Sequence, residues 1–428
     1  MLKRILTLAA GVVLGLGLAF AGLRASLAWG LFPDRDLNRS SAYVKEVLHL
    51  VNENYVDPNA ANYDQLAKSA IHGMVETLDP HSEFLESKEY SVLEEELSGD
   101  FSGIGVQVEM RKGSVVVIAP IAGSPGERAG ILRGDEIVRV DGKPLEKGIT
   151  MDRVIERLRG KPGTLVAVGL SRPGASKSFE ITLRREVIKQ TSVRDVRVLA
   201  PHTGYLQLTE FSEHTGEEFT EALNQLLKQG VDSLVIDLRG NPGGLLDAAV
   251  EVAEPFFKKN ELIVYTQGRK PEDREDYRAN DDGDPLVVPV AVLINATSAS
   301  AAEVVTGALK DTGRAVVVGE RSFGKGSVQS IFKLKNGDGL RLTTARYFTP
   351  GGVSIHEKGI APQVEVVMTP EEDSKLRLQR LRSDVKDPRD FKEQFGFTPI
   401  EDRQLQAALD VLKGVNLFEA GRTAAATR

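Results

Sequence analysis

Apolar and polar positions recur with two different periods along this chain, and the changes of period divide it. After a polar stretch near Asp34 to Ser41, the residues Val44, Val47, Leu48 and Val51 fall at helical spacing, and the pattern continues through Leu66, Ile71 and Met74. From about Gly99 to Glu186 the apolar runs are short and β-rich (106–110, 115–119, 136–140, 166–170, 178–183), separated by turns and by one helical stretch, 151–158. Beyond Val187 the periods alternate: strands at 204–208, 233–238, 262–266, 289–294 and 315–318, and helices at 217–228, 245–257 and 301–310. Such alternation predicts an α/β unit with a largely parallel sheet. The polar segment 268–284 predicts a loop, placed to face substrate. After about Pro370 the chain is charged and helical in pattern, with Leu405, Leu409 and Leu412 on one face, and 423–428 is expected to fray. No internal repeat is visible.

Composition narrows the function. With 428 residues, 41% hydrophobic content, 41 glycines and 19 prolines, the chain has room for two or three globular domains. A net charge of −7 argues against a general nucleic-acid binder. The absence of cysteine excludes disulfides, thiolate metal sites and a cysteine nucleophile. Six scattered histidines (His49, His72, His81, His202, His214, His356) form no close pair of the kind that binds metal, so neither a metal nor another cofactor is expected. At the N-terminus, Lys3 and Arg4 precede an uncharged run, 5–23, followed by Arg24. This run reads as a secretory signal or as an uncleaved anchor, with Ala19-Phe20-Ala21 as a cleavage option; a buried core helix is the third reading. The first two place the rest of the chain outside the cytoplasm.

Candidate chemistry gathers at two serine- and glycine-rich bends. In Asn295-Ala296-Thr297-Ser298-Ala299-Ser300-Ala301-Ala302-Glu303 an apolar run gives way to small residues and then to a helical pattern. A hydroxyl at such a bend stands beside the unpaired amides of a helix N-terminus, which stabilise an oxyanion. The same residues fit a capping box, Ser300 with Glu303, and Ser298 is a second choice of cap. In Gly319-Glu320-Arg321-Ser322-Phe323-Gly324-Lys325-Gly326-Ser327-Val328-Gln329 glycines on both sides let the backbone carry Lys325 inward, with apolar residues around it. A lysine serves as general base only if its pKa falls from about 10.4 toward neutrality, which burial achieves. The ordinary alternative is a solvated loop lysine. A phosphate loop shares the spacing of Gly319, Gly324 and Lys325, but Gly326 stands where its Ser or Thr belongs, and the run after Ser327 reads as strand.

Three features together, the 295–303 segment, the spacing of twenty-five residues from Ser300 to Lys325, and Gln329 four residues further, resemble the carboxyl-terminal processing proteases, tail-specific serine peptidases with a PDZ domain. Other similar stretches are Ile71-His72-Gly73-Met74 with Leu78-Asp79-Pro80-His81-Ser82, Asp237-Leu238-Arg239-Gly240-Asn241-Pro242-Gly243-Gly244 and Tyr347-Phe348-Thr349-Pro350-Gly351-Gly352, so the likeness runs from about Val44 to Val367. The resemblance implies Ser300 as nucleophile, Lys325 as base and Gln329 as the residue that orients the lysine. It also implies an oxyanion site at the amides of Gly243, Gly244 and Ala301; a plain tight turn is the alternative for either glycine. Pro242 stands where a trypsin-like Gly-Asn-Ser-Gly-Gly would hold its serine.

Ser124-Pro125-Gly126-Glu127-Arg128-Ala129-Gly130-Ile131, with Gly134-Asp135-Glu136-Ile137 and Val140-Asp141-Gly142, resembles a PDZ domain. Such a domain adds a substrate's tail as an extra strand and holds its carboxylate on backbone amides. Gly103, Ile104, Gly105 and Val106 match the carboxylate-binding loop, with aliphatic residues in place of the commoner Leu and Phe. Arg159, at the end of the PDZ helix, is either a regulatory cation that reaches the protease unit or a cap on the helix C-terminus. The fold class expected is α/β: a ClpP/crotonase-like β/α protease core with an inserted β-rich PDZ domain and helical terminal regions. The segments are 1–30 (signal or anchor), 40–98 (helical, resembling a dimerisation element that the C-terminal helices join), 99–186 (PDZ), 187–370 (protease core) and 371–428 (helical). The function expected is an exported serine endopeptidase, periplasmic or otherwise extracytoplasmic, with an anchor in the inner membrane as one option. Its partners would be protein substrates with accessible C-terminal tails, a second copy of itself and, optionally, an adaptor. A PDZ scaffold without catalysis and an acyl-CoA enzyme of crotonase-like architecture are the competing readings; the first leaves Ser300, Lys325 and Gln329 without purpose, the second leaves the PDZ segment unexplained.

Overall fold

The computed structural model describes residues 35–426 apart from positions 112, 147, 175, 176, 201, 281, 383 and 384. The expected signal or anchor at 5–23 therefore lies outside the described residues. Among the described residues no helix is long and apolar enough to cross a membrane.

The chain divides into two units, residues 1–84 and 85–428. In the first, helices α1 (Arg35–Asn54) and α2 (Tyr63–Glu76) follow one another, and Asn62 caps α2 by accepting the Gln65 amide at 2.9 Å. The apolar positions Leu37, Tyr43 and Leu50 of α1 are exposed, and α1 has no buried residue.

The second unit opens with α3 (Ser87–Ser98), which Gly99 ends in the left-handed conformation. Strands β1 (Asp100–Gly103) and β7 (Glu186–Lys189) pair as an antiparallel ribbon. Between them lies a five-strand antiparallel path, β2 (Val106–Arg111), β3 (Ser114–Pro120), β4 (Glu136–Val140), β5 (Leu165–Ser171) and β6 (Phe179–Arg184), with helix α4 (Met151–Leu158). Ile137, Val140, Val154, Val166, Val168 and Leu170 form its own buried core. Every strand and helix read from the sequence in this stretch is present.

The remainder is built on the sheet β8 (Val193–Ala200), β9 (Thr203–Leu208), β10 (Ser233–Asp237), β13 (Val290–Ile294), β14 (Ala315–Gly319) and β17 (Val364–Glu365), in that order. All neighbours are parallel except β8 with β9. Helices α5 (Thr215–Lys228), α6 (Leu246–Ala253) and α7 (Ala301–Asp311) bury their apolar faces in the larger core, with Phe219, Val252 and Val305 inaccessible to solvent. A second, antiparallel sheet contains β11 (Leu262–Gln267), β12 (Arg274–Arg278), β15 (Ser327–Lys333) and β16 (Gly339–Phe348). The strand expected at 262–266 thus leaves the parallel sheet. The loop expected over 268–284 contains β12, whose Arg-Glu-Asp-Tyr-Arg sequence forms an exposed strand beside β11 with no apolar alternation to announce it.

Helices α8 (Pro370–Leu381), α9 (Pro388–Phe395) and α10 (Arg403–Ala426) complete the unit. The helix α10 runs through most of the segment expected to fray. Leu405, Leu409 and Leu412 pack with Tyr205, Val235, Ala291 and Leu293 on the core sheet. The leucine face of the segment expected to join a contact between copies is spent inside the molecule, covering one face of the parallel sheet.

Candidate active site

Strand β13 is buried at all five positions and ends at Asn295. The chain then turns tightly: Ser298 donates its amide to the Asn295 carbonyl at 2.9 Å, and its hydroxyl reaches the Leu238 carbonyl at 2.8 Å. Ser298 is therefore a brace between bends and not the helix cap. Ser300 follows with φ 53° and ψ −117°, and α7 starts at the next residue. That conformation is strained for a residue with a Cβ and persists only where the surroundings enforce it. A sharp strand-to-helix bend of this kind can lift a serine hydroxyl off a sheet. The side chain is largely buried, beside the phenol of Tyr347 on β16. Burial pushes the Tyr347 phenol up to about 12, against the opposing effect of the Ser300 hydroxyl, so it stays protonated at neutral pH.

Glu303, one turn into α7, is fully buried and holds the two candidate loops together. Its Oε2 accepts the amides of Ser300 at 2.9 Å and Lys325 at 2.8 Å; its Oε1 accepts the Gly324 amide at 2.7 Å and the Ser322 hydroxyl at 2.5 Å. Burial raises the Glu303 pKa above its ordinary value, and these four donors pull it back. The capping-box pattern showed one of the four bonds. The other three come from residues 19 to 22 positions downstream, where local pattern has no reach.

The Lys325 loop lies between β14 and β15, so the segment after Ser327 is a strand and not the helix of a phosphate loop. A Cβ on Gly326 would stand 2.2 Å from the His356 amide nitrogen, which is why glycine permits the close approach. Lys325 is half-buried. Gln329, at a register irregularity in β15, donates Nε2 to Ser327 Oγ at 3.0 Å and to Thr343 Oγ1 at 3.1 Å.

The loop 240–244 packs directly on the serine bend. Gly243, at φ 103°, has no room for a side chain: a Cβ would lie 2.7 Å from Ser300 Cβ. Its amide donates to Asn241 Oδ1 at 2.8 Å. Gly244 bridges to Phe211 through its neighbours, as the Phe211 amide donates to the Gly243 carbonyl and the Leu245 amide to the Phe211 carbonyl. Ala301 is the first residue of α7, where a backbone amide has no partner within the helix. At the root of this loop, Asp237 and Arg239 form a buried pair: Arg239 Nη2 lies 2.6 Å from Asp237 Oδ2. Burial alone would raise the Asp237 carboxyl, but the adjoining guanidiniums of Arg239 and Arg380 hold it well below the usual carboxylate range.

Far along the chain, Gly103, Ile104, Gly105 and Val106 line a cavity of about 810 Å³ beside β2 and α4, with Ile155, Leu158 and Arg159 on the other wall. Its floor is apolar, and the strand β2 lies along it, as strand addition requires. Arg159 ends α4, as the capping reading expected, but its side chain leaves the helix. Nη1 pairs with Glu95 Oε2 of α3 at 3.0 Å, and the guanidinium stacks 5.2 Å from the Phe101 ring centre.

Comparison with known proteins identifies the family. Residues 202–366 match the model of peptidase family S41, and residues 102–183 match a PDZ domain. The chain is 36% identical to the carboxy-terminal-processing protease of Bartonella bacilliformis over 97% of its own length and 96% of that protein's. It is 32% identical to a carboxy-terminal processing protease of Bacillus subtilis, over 78% of this chain and 69% of the other. A solved candidate S41 protease from Bacteroides fragilis shares the fold, with a TM-score of 0.51 at 19% identity over 90% of this chain and 98% of that one. With a serine bend on an S41 core and a PDZ domain before it, the chain belongs to the carboxy-terminal processing proteases of peptidase family S41 and is a serine-type peptidase.

Proposed function

We propose that this peptidase is an exported endopeptidase that holds a protein's C-terminal tail in the groove at residues 103–106 and cuts that protein with a Ser300–Lys325 dyad. One observation carries the reading: the strained bend of Ser300 and the backbone of Lys325 hang on the same oxygen of Glu303, at 2.9 and 2.8 Å. Ser300 Oγ attacks the scissile carbonyl while the neutral Lys325 amine takes its proton. The oxyanion is received by the amides of Ala301 and the 243–244 loop, with Gly243 needing release from Asn241 to contribute. The C–N bond then breaks, the lysine proton passes to the leaving amine, and water, deprotonated by the same lysine, frees Ser300. Gln329, fixed by Ser327 and Thr343, braces the strand that follows Lys325 and orients the lysine.

In this reading residues 99–186 are the PDZ domain, 187–370 the protease core, and 40–98 and 371–428 the helical flanks. The N-terminal run, 5–23, exports the chain as signal or anchor, and the exposed Leu37, Tyr43 and Leu50 support contact with a second copy. An adaptor is an optional further partner. Arg159 is the regulatory cation, since its pairing with Glu95 joins the tail groove to α3.

The test is cleavage of a tail-bearing protein substrate by the full chain. Ser300→Ala and Lys325→Ala should each abolish it with the fold intact, because the dyad acts as a unit. Lys325→Arg should fail too, as guanidinium stays protonated. Wild-type activity should rise with pH as the amine loses its proton. Substantial turnover by purified Lys325→Ala would overturn the dyad.

A further inference from the structure

Two bends, the loop 240–244 and the serine bend 295–300, are each tied to the C-terminal helical segment by side-chain bonds. On the first bend, Arg239, two residues past the end of β10, gives Asp402 two parallel bonds, Nη1 to Oδ1 at 2.7 Å and Nη2 to Oδ2 at 2.8 Å. Asp402 stands just before α10 and also accepts the Leu405 amide at 3.0 Å, so the carboxylate is anchored to the helix it precedes. Arg380 of α8 donates to the other carboxylate of the pair, Asp237 Oδ2, at 3.1 Å. On the second bend, Asp373 of α8 accepts from Asn295 Nδ2 at 3.0 Å. This contact fixes the direction of the Asn295 amide. Its other end, Oδ1, accepts the Gly240 amide at 3.0 Å and the Thr297 hydroxyl at 2.9 Å, and so joins the two bends.

Reversal of the Asn295 amide would present an NH₂ to the Gly240 N–H, donor against donor. Asp373 prevents that reversal, because a carboxylate accepts and cannot donate. Beside the Ala299 amide, which donates to the Asn241 carbonyl at 3.0 Å, the loop that carries Gly243 and the bend that carries Ser300 are thus also spaced by a side chain whose orientation is set from α8. Part-buried bonds of this kind are directional, and removing one partner leaves the other's polar groups to find new ones.

We propose that the C-terminal helical segment positions the active site: Asp373, through Asn295, sets the spacing of the oxyanion loop and the serine bend, while Asp402 and Arg380, through Arg239 and Asp237, fix the root of that loop. These are positioning residues, and none of them touches substrate. The proposal rests on the reading of Ser300 as nucleophile and of the 243–244 loop and Ala301 as the oxyanion site.

The experiment measures kcat, KM, melting temperature and tail-peptide affinity in the full chain for Asp373→Ala, Asp373→Asn and Asp402→Asn, with Ser300→Ala as control. Asp373→Ala should lower kcat by about tenfold to hundredfold, the effect of a small misplacement of reacting groups, with KM within about twofold and tail affinity unchanged. Asp373→Asn keeps an acceptor for Asn295 Nδ2 but can also donate to a reversed amide, so its kcat should fall between those of Asp373→Ala and wild type. Asp402→Asn should lower kcat in the same sense. Wild-type kcat in folded Asp373→Ala and Asp402→Asn would overturn the proposal, as would a loss confined to KM or to melting temperature. Failure of both variants to fold would overturn it as well, because the contacts would then maintain the fold and not the spacing of the bends. Retained activity in Ser300→Ala would instead sink the catalytic reading itself.

Discussion

Arg239 and Arg159 both join elements far apart in sequence, under opposite conditions. Arg239 is 1% exposed and lies between two carboxylates, Asp237 and Asp402. Arg159 is 36% exposed and meets one carboxylate, Glu95, with Phe101 beneath it. Removing one member of a buried pair strands an uncompensated charge and costs about 3–5 kcal/mol. An exposed pair is screened by water and contributes about 0.2–1 kcal/mol. The root of the 240–244 loop is therefore firmly set, whereas the contact between the groove at residues 103–106 and α3 can be exchanged for modest free energy, well within what a bound ligand can supply.

The comparison breaks first at Arg239. Arg239→Ala should destabilise the chain by about 3–5 kcal/mol in denaturant unfolding and remove activity, and Arg239→Lys should not rescue it, since an ammonium cannot serve two carboxylates bidentately. The pH dependence sharpens the point. Because Asp237 is held below its ordinary 3.8, the stability it contributes is fully present above that value and is lost as pH falls through the lowered one. Asp237→Asn should accordingly be less stable than wild type at neutral pH, with the gap closing in acid; a gap independent of pH would contradict the charge pairing.

A middle-sized effect is expected at Glu303. Glu303→Gln turns one acceptor oxygen into a donor facing N–H groups, so the buried amides of Ser300 and Lys325 or of Gly324 lose their partner, at about 1–3 kcal/mol. Cleavage should fall much further than stability, since both candidate loops share that side chain. Wild-type turnover in Glu303→Gln would show that the shared carboxylate does not set the geometry.

The smallest effect on stability belongs to Arg159. Arg159→Ala should change it by less than about 1 kcal/mol, yet lower cleavage while tail-peptide affinity stays near wild type, if the pair with Glu95 carries the signal. Unchanged cleavage would return Arg159 to helix capping, and a parallel loss of peptide binding would make it a ligand contact.

How much of this was legible in the sequence depends on the range of the interaction. The strand Val290–Ile294 and the helix after Ser300 were readable because five buried apolar residues and a helical repeat are local signals. The strand Arg274–Arg278 was not, since its exposed charges carry no alternation and it exists only because β11 offers an edge to pair with. Leu405, Leu409 and Leu412 were visible as an apolar face, but a face does not say what covers it, and the sheet claimed it. In the candidate site, Ser300, Lys325 and Gln329 could be read from spacing and resemblance. Glu303 was visible only as a cap. Tyr347 against Ser300, and Asp402 against Arg239, arise from pairings across tens to more than a hundred residues that no window of sequence contains.

The most direct measurement of the central claim is mass spectrometry of the intact chain during turnover of a tail-bearing substrate, quenched before deacylation. The account predicts an acyl adduct on the peptide that contains Ser300, present in wild type and absent in both Ser300→Ala and Lys325→Ala. An adduct on another residue, or one that forms at the wild-type rate in Lys325→Ala, would contradict it.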